Sequence, residues 1–215
     1  MLKAVIMDFD GVIVDTEVVW YNIYVDWFKK HKDYDLPVRE FLACVGSNSD
    51  DLFDSLDARN IIVDRAEFAR DTTRLFIEQS SLLPPKEGVV EFIHAVKSRG
   101  LKLALATSAV RLKIVKHLTR LGLIDQFDEL ITSEDVKRIK PYPDLFLKTA
   151  EKLGIEPHEA LIIEDSRNGF QAGINAKMRV LVVPNDVTRY SDFKGCYCQL
   201  NSLTEINLVK LFADF

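Results

Sequence analysis

The sequence lacks the features that would place a protein in a membrane or on nucleic acid. None of its apolar runs approaches the roughly 20 residues of a membrane-spanning helix. Asp8 and Asp10 interrupt the first apolar stretch, so no signal peptide is recognisable there. A net charge of −5 gives no reason to expect binding to nucleic acid or to an anionic membrane. We therefore expect neither as a partner.

Cysteine and histidine are also scarce, and neither is arranged as a disulfide framework or a metal site. The three cysteines, Cys44, Cys196 and Cys198, are odd in number and lack the spacing of zinc ligands. The four histidines are scattered along the chain. Free thiols are typical of a reducing compartment, so we expect a cytoplasmic protein.

What the chain does contain is a pair of acids at the end of an apolar run. Residues 4–6 are too few for a helix but suit a buried strand, and Asp8, Asp10 and Gly11 follow them. Residues two apart on a strand point to the same face, so the two carboxylates would lie side by side. Like charges at that distance repel each other unless a cation or a proton lies between them. An isolated pair of this kind is more often a solvated turn, so the remaining sequence has to decide.

Residues 17–80 have the pattern of helices and contain no convincing strand. Apolar side chains recur at the spacing of a helix with one broad buried face, at Trp20, Ile23, Tyr24, Trp27 and Phe28. Aromatic residues at this spacing more often pack together than contact a substrate, and we expect packing. The pattern predicts a small bundle of amphipathic helices at residues 16–82.

Beyond residue 83, short apolar strands alternate with helices. The predicted strands are 101–106, 129–132, 160–163 and 180–183, in addition to the one at 4–6. This alternation is typical of a parallel sheet covered by helices on both faces. We predict an α/β protein whose doubly wound parallel sheet is formed by residues 1–15 and 83–215, with residues 16–82 inserted as a separate helical domain.

Polar residues follow several of the predicted strands. They are Asp8 and Asp10 after the first strand, Thr107 and Ser108 after the second, and Glu164 and Asp165 after another, with Lys140 in a loop stiffened by prolines. Each alone has an ordinary structural explanation, such as a helix cap or a solvated surface charge. Right-handed crossovers keep the strands parallel, so their carboxyl ends meet at one edge of the sheet. The convergence of all these groups there is much harder to explain by structure alone.

Together these groups fit the chemistry of phosphoryl transfer. Carboxylates from two strand ends suit Mg²⁺, which prefers oxygen ligands and shares the phosphate of a substrate. A hydroxyl, a lysine and the free amides of a helix start suit the phosphoryl oxygens. A carboxylate that attacks phosphorus forms an aspartyl-phosphate, and a second carboxylate can protonate the leaving oxygen and later activate water.

The sequence resembles the haloacid dehalogenase superfamily of phosphohydrolases, in particular the branch that contains β-phosphoglucomutase and the phosphoglycolate or sugar-phosphate phosphatases. Four motifs carry the resemblance: Asp8-Phe9-Asp10-Gly11-Val12, Ala106-Thr107-Ser108, Lys140-Pro141-x-Pro143-Asp144 and Glu164-Asp165-Ser166-x-x-Gly169. The resemblance implies a Rossmann-like core with a helical cap inserted after the first strand, which matches the bundle expected at residues 16–82.

The resemblance also implies roles for individual residues. Asp8 would be the nucleophile, Asp10 the general acid and base, and Thr107 and Lys140 would stabilise the phosphate. Asp8, the backbone carbonyl of Asp10 and Asp165 would hold Mg²⁺, and Glu164 would support the ion directly or through water. The expected substrate contacts are Phe9, Ser108 and a cap loop that contains Gly46, Ser47 and Asn48.

Departures from the family pattern narrow the expected reaction. Dehalogenases resemble this chain but lack the second aspartate, so Asp10 argues against that activity. Three cationic or ionisable cap residues of the mutase pattern are missing here. Trp20 stands where the mutases have a histidine, and Ser49 or a neighbour stands where they have an arginine. Their cap lysine has no counterpart near Asp71 and Thr72. A mutase must hold a sugar bisphosphate by both phosphates, so the missing cations favour a phosphatase of a small phosphorylated metabolite, such as a phosphosugar.

Two alternatives stay open at this point. One is a phosphosugar mutase of the β-phosphoglucomutase type. The other, from a different class, is a catalytically inactive module that binds a phosphate ligand. Because a cap of this kind has to move during turnover, we expect a monomer.

Overall fold

A parallel β-sheet forms the centre of the protein, in a computed structural model that describes residues 1–207 and 211. The strands are β1 (Ala4–Met7), β2 (Lys102–Ala106), β3 (Glu129–Ile131), β4 (Ala160–Glu164), β5 (Arg179–Val182) and β6 (Cys198–Gln199). Their order across the sheet is β3-β2-β1-β4-β5-β6, and every neighbouring pair is parallel. Residues 208–210 and 212–215 of the predicted core lie outside the described residues.

The first four helices after β1 form a cap, and nearly all residues of one hydrophobic cluster belong to it. They are α1 (Thr16–Lys32), α2 (Val38–Phe41), α3 (Asp50–Asp57) and α4 (Arg65–Ser80). Phe68 of α4 lies at the centre of this cluster, with ring centroids 4.7 to 5.2 Å from those of Tyr24, Trp27 and Phe53. The aromatic residues at helical spacing therefore pack against one another, as the sequence predicts.

Helices cover both faces of the sheet and bury its central strands, β1 and β4, completely. They are α5 (Val89–Ser98), α6 (Arg111–Leu121), α7 (Asp144–Leu153) and α8 (Arg167–Asn175). Successive strand residues point to opposite faces. Val5 and Met7 accordingly share a cluster with residues of α5 and α6, while Ile6 between them packs with residues of α7 and α8. All four side chains of β1 are buried, because its central position leaves neither face to solvent.

The predicted fold class is confirmed: a Rossmann-like, doubly wound parallel sheet carries an inserted helical cap. The five predicted strands are present, and the structure adds β6, a two-residue strand at the sheet edge whose residues are partly exposed. A strand of two residues contains no apolar run from which the sequence could predict it. Within the described residues, no helix has both the length and the apolar character needed to cross a membrane.

Candidate active site

The first acid of the opening motif lies at the carboxyl end of the central strand. The Asp8 amide donates to the Ile163 carbonyl oxygen at 3.0 Å, which extends the β1–β4 pairing by one residue, and the Asp8 side chain is buried. The chain then turns at Gly11, whose φ is +73°. A Cβ atom at Gly11 would lie 2.0 Å from the Asp165 Oδ2 atom, so only glycine leaves room for that carboxylate.

A buried lysine contacts carboxylates from two neighbouring strands. The Lys140 Nζ atom lies 2.8 Å from Asp8 Oδ1 and 2.6 Å from Glu164 Oε1, and all three side chains are inaccessible to solvent or nearly so. The Phe146 ring lies beneath the ammonium, 5.4 Å from Nζ to the ring centroid. Burial alone would lower the pKa of Lys140, but the two carboxylates reverse the effect and raise that pKa above its usual value. Lys140 is therefore a fixed positive charge.

Asp8, Glu164 and Asp165 form an acid cluster that carries more negative charge than Lys140 compensates. One carboxylate oxygen from each lies within 4.8 Å of the others. The pKa of Asp8 is raised to about 7: burial raises it most, Glu164 and Asp10 also raise it, and Lys140 opposes them. Burial also raises the pKa of Asp165 well above its ordinary value, as do nearby acids. Buried oxygen ligands that are short of positive charge fit a hard divalent cation such as Mg²⁺.

Hydrogen bonds fix the orientation of two members of this acid cluster. Glu164 Oε2 accepts from the Ser166 hydroxyl at 3.1 Å, so both of its oxygens already contact protein donors. Asn185, in the loop after β5, donates from Nδ2 to Asp165 Oδ2 at 2.9 Å. These contacts leave Asp8 and Asp165 with oxygens that are better placed to bind an ion than those of Glu164.

The second acid of the opening motif contacts groups other than those of the acid cluster. Asp10 Oδ1 accepts from the Thr16 hydroxyl at 2.5 Å, and both Asp10 oxygens lie within 2.8 Å of the Lys113 ammonium. Lys113 projects from α6, and the ion pair is only partly exposed. Two groups outside the opening motif thus set the position of the Asp10 carboxylate.

A cleft of about 280 Å³ lies between the sheet edge and the cap, and Lys140, Glu164 and Asp165 are buried behind Asp8 rather than lining it. From the core, Asp8, Asp10, Thr107, Ser108 and Lys113 line it. From the cap, its lining includes Glu17, Trp20, Tyr24, Gly46, Ser47 and Ser49. Trp20 and Tyr24 therefore have two roles, since they pack within the cap and also face the cleft. The structure brings Asp8, Asp10 and Thr107 to this one cleft, as the sequence predicts for strand-end residues.

The cap loop that contains Gly46 and Ser47 is hydrogen-bonded to the core at the edge of the cleft. Ser47 donates from Oγ to the Lys140 carbonyl oxygen at 2.6 Å, and Ser108 donates to the Gly46 carbonyl oxygen at 2.9 Å. Asn168 of α8 donates to the Val45 carbonyl oxygen at 2.9 Å. The loop that the sequence predicts to face the site therefore does so, with the cap in a closed position.

Two of the predicted substrate contacts lie elsewhere. The Phe9 side chain is fully buried against His117, 5.5 Å between ring centroids, and does not line the cleft. Asn48 is exposed, and its side-chain oxygen accepts from the Asp50 amide at the start of α3. The neighbouring Ser49 borders the cleft in its place. Asparagine side chains in turns often bond to the backbone two residues on, and the composition of a loop does not reveal this.

The structure also adds site residues that the sequence does not single out. Lys113 belongs to the regular pattern of α6, and a lysine on a helix is ordinarily solvated. Glu17 is buried beside Asp10, and burial together with that charge raises its pKa to about 8. Asn185 follows β5 after Pro184. Of Lys113, Glu17 and Asn185, only Asn185 could have been found from the sequence, because it follows the end of a predicted strand.

Comparison with known proteins agrees with this geometry. A model of the haloacid dehalogenase-like hydrolase family matches residues 5–183. The chain is 32% identical over 186 residues to the phosphorylated carbohydrates phosphatase of Thermotoga maritima, covering 81% of this chain and 82% of that protein. It is 31% identical over 220 residues to hexitol phosphatase B of Escherichia coli K12, covering 95% and 94%.

A solved structure shares the fold over nearly its whole length. The β-phosphoglucomutase of Clostridium difficile matches with a TM-score of 0.82 and 22% sequence identity, covering 99% of this chain and 96% of that one. At this identity the likeness concerns the fold alone. With the family match spanning the cap and most of the sheet, the chain belongs to the haloacid dehalogenase-like hydrolases.

Proposed function

We propose that the protein is a Mg²⁺-dependent phosphomonoesterase that hydrolyses a small phosphorylated metabolite of the phosphosugar type. The surroundings of Asp8 carry the proposal. Its buried carboxylate lies 2.8 Å from the Lys140 ammonium, belongs to the acid cluster with Glu164 and Asp165, and borders the cleft. A nucleophilic carboxylate, a fixed cation and a metal-binding set beside one small cavity are what phosphoryl transfer to an aspartate requires.

In the first step, the Asp8 carboxylate attacks phosphorus, and the bond from phosphorus to the ester oxygen of the substrate breaks. An anion approaches another anion in this step, so the phosphoryl oxygens need fixed positive charge. Lys140 supplies it, since its two ion pairs hold the ammonium in place before the substrate arrives. The buried Thr107, at the end of β2, offers a hydroxyl on the same side of the cleft.

Asp10 handles the protons in both steps. It gives a proton to the departing ester oxygen in the first step. In the second step it takes a proton from the water that attacks phosphorus, the bond between phosphorus and the Asp8 oxygen breaks, and inorganic phosphate leaves, so both aspartates return to their starting states. Thr16 and Lys113 hold the Asp10 carboxylate at the wall of the cleft. Closure of the cap loop over Lys140 excludes bulk water during the first step.

Asp8 and Asp165 would hold Mg²⁺, together with the Asp10 backbone carbonyl. The bound ion supplies positive charge to the phosphoryl oxygens and to the acid cluster. Glu164 supports the site by fixing Lys140, because its own oxygens contact Lys140 and Ser166. Asn185 sets the orientation of Asp165.

The dimensions and lining of the cleft favour a small polar substrate and hydrolysis. Its volume of about 280 Å³ suits a phosphosugar, and Ser47, Ser49 and Ser108 give it a polar lining. Among the described residues that line it, Lys113 is the one lysine or arginine. That is little positive charge for the second phosphate of a bisphosphate. Two relatives are named for phosphatase activity on phosphorylated carbohydrates and on a hexitol.

A screen of phosphorylated metabolites for released phosphate, with and without Mg²⁺, tests this function. Asp8→Asn should lower Mg²⁺-dependent turnover by at least about a thousandfold, because it removes the nucleophile. Asp26→Asn, at an exposed position on α1, is the matched control and should retain turnover. Undiminished activity of Asp8→Asn would refute the assignment of the nucleophile.

The same screen distinguishes the alternatives. A mutase would isomerise a sugar monophosphate when its bisphosphate is added and would release little free phosphate. A protein that binds phosphate esters but turns over none of them, generic aryl phosphates included, would be a binding module. Steady release of phosphate without isomerisation supports the phosphatase.

A further inference from the structure

A second cavity, of about 380 Å³, lies between α4 of the cap and α6 of the core; we refer to it as the junction cavity. Three stacked side chains form its border with the active-site cleft. The Trp20 and Phe76 rings are parallel at 4.0 Å, and the Lys113 ammonium lies 4.7 Å from the centroid of the Phe76 ring. Trp20, Val110 and Lys113 line both cavities. The proposed mechanism makes no use of the junction cavity.

The walls of the junction cavity are largely apolar and open to solvent. Ile77 of α4 and Leu112 of α6 line it from opposite sides, and they are 52% and 80% exposed. Val110 is 52% exposed beside them. Several large, exposed apolar side chains around one cavity favour an apolar ligand. A single exposed apolar side chain is common on protein surfaces and would not indicate a binding site.

The charge around the junction cavity has one sign. Lys113, Lys116 and Arg120 line it from three turns of α6, and no aspartate or glutamate is among its described lining residues. The chain as a whole has a net charge of −5, so this is a local excess of positive charge on an acidic protein. Charge complementarity therefore favours an anion.

Two buried polar atoms in the wall have no hydrogen-bond partner among the described residues. They are Ser80 Oγ and His117 Nδ1, on side chains that are 1% and 7% exposed, and both residues line the junction cavity. Leaving a buried polar group unpaired is unfavourable, and such groups normally have partners. Both residues contribute to the wall, so the wall has polar hydrogen-bonding capacity that the described residues leave unused.

We propose that the junction cavity binds a small amphipathic anion, with its acidic group at the α6 cations and its aliphatic or aromatic body between Ile77 and Leu112. The volume lies within the range of small-molecule sites. The site is distinct from the phosphate-binding cleft, from which the Trp20–Phe76–Lys113 stack separates it.

Occupancy of this site also affects turnover, an extension that rests on the proposed function. A ligand held between α4 and α6 bridges cap and core and resists the opening that releases product. Its anionic group also competes with Asp10 for Lys113, which the Asp10 carboxylate now contacts at 2.6 and 2.8 Å. Both effects lower kcat without blocking the cleft.

The binding test uses 8-anilinonaphthalene-1-sulfonate, an aromatic sulfonate that fluoresces in apolar surroundings, with octanoate as a competing carboxylate. We expect saturable binding of one dye per chain, displaced by octanoate and unaffected by inorganic phosphate. Ile77→Glu, which places an acid in the cavity wall, should weaken the binding by at least about tenfold through like-charge repulsion. Leu147→Glu, at an exposed apolar position of α7, is the matched control and should bind as the wild type does.

Each other outcome overturns the site. Binding that Ile77→Glu leaves unchanged, or that inorganic phosphate abolishes, would assign the dye to another surface or to the active-site cleft. Binding that disappears as a dimer forms in sedimentation experiments would assign the cavity to a second copy of the chain. None of these readouts depends on catalysis, so the site stands or falls separately from the proposed function.

The turnover test measures hydrolysis of an aryl phosphate in the presence of octanoate. We expect kcat to fall several-fold with KM unchanged in the wild type, and no effect in Ile77→Glu. A rise in KM alone would mean that octanoate competes in the cleft, which would refute the coupling. Unchanged kcat with the dye displaced would refute the coupling as well, while leaving the binding site in place.

Discussion

Replacing Lys140 by methionine would remove the one buried cation that contacts two carboxylates of the acid cluster. Methionine is close to lysine in length, so the packing over Phe146 is largely kept and the charge is what changes. The variant leaves Asp8 and Glu164 buried without the ammonium that lies 2.8 and 2.6 Å from them. These two carboxylates then repel each other and Asp165. The repulsion raises the free energy of the folded state alone, because the unfolded chain does not hold the three groups together.

The expected loss of stability is large for a single substitution. Removing one partner of a buried ion pair raises the free energy of the folded state by about 3–5 kcal/mol. In a domain of this size that corresponds to a fall in Tm of roughly 10 °C. Without the lysine, the pKa of Asp8 rises above its present value of about 7, while in the unfolded chain it stays near 3.8. A raised pKa in the folded state makes stability fall as pH rises. Up to about pH 7 this fall is the same in the wild type and in the variant, so the additional loss caused by the substitution should grow above about pH 7.

Thermal unfolding in a chelating buffer at pH 5 and pH 8 measures this effect. The control is Lys148→Met on α7, which removes a lysine from an exposed ion pair with Glu151 and should change stability by at most about 1 kcal/mol. Addition of Mg²⁺ should restore part of the stability of Lys140→Met, because the ion supplies positive charge to the same carboxylates. If Lys140→Met unfolded like Lys148→Met at both pH values, the assigned role of the buried ammonium would be wrong.

Three further predictions concern other residues of the site. Gly169→Ala should lower stability by about 1–3 kcal/mol in urea unfolding, because its Cβ would lie 1.9 Å from Glu164 Oε1; an unchanged midpoint would contradict this. Glu17→Gln should stabilise the metal-free protein by an amount that grows from pH 4.5 to about pH 8 and reaches about 5 kcal/mol in thermal unfolding. The reason is that only the wild type has a buried acid there, whose pKa is raised to about 8. A stability difference that does not depend on pH would disprove this cause. Lys113→Met should lower kcat/KM for a phosphate ester roughly tenfold through loss of the contacts that position Asp10, while Lys152→Met, an exposed lysine of α7, should not.

The strands were predictable because their apolar runs are short, continuous and bounded by glycines or polar residues. β1 is buried on both faces, so its sequence is continuously apolar and does not alternate between apolar and polar residues as a surface strand does. The cap was predictable for the opposite reason, since its apolar residues recur at helical spacing on one face. β6 was not, because two residues paired at a sheet edge leave no pattern in the sequence.

Orientation within the candidate site was much less predictable. The motif places Asp8 and Asp10 two residues apart, yet the structure directs them to different partners, Lys140 and Lys113. Lys113 is 103 residues from Asp10 in the chain, and its position in α6 carries no local signal. Asn48 belongs to a turn that suits a ligand by composition, but its side chain instead accepts a hydrogen bond from the Asp50 amide.

The sequence by itself determined the parallel sheet, the inserted helices and the gathering of Asp8, Thr107 and Asp165 at one sheet edge. These follow from periodicity and from the fixed handedness of parallel crossovers, which are local rules. Only the tertiary structure decided which charges meet: the pairing of Asp10 with Lys113, and the second cavity beside it. Side-chain contacts between distant segments depend on how cap and core pack together, and no local pattern encodes that arrangement.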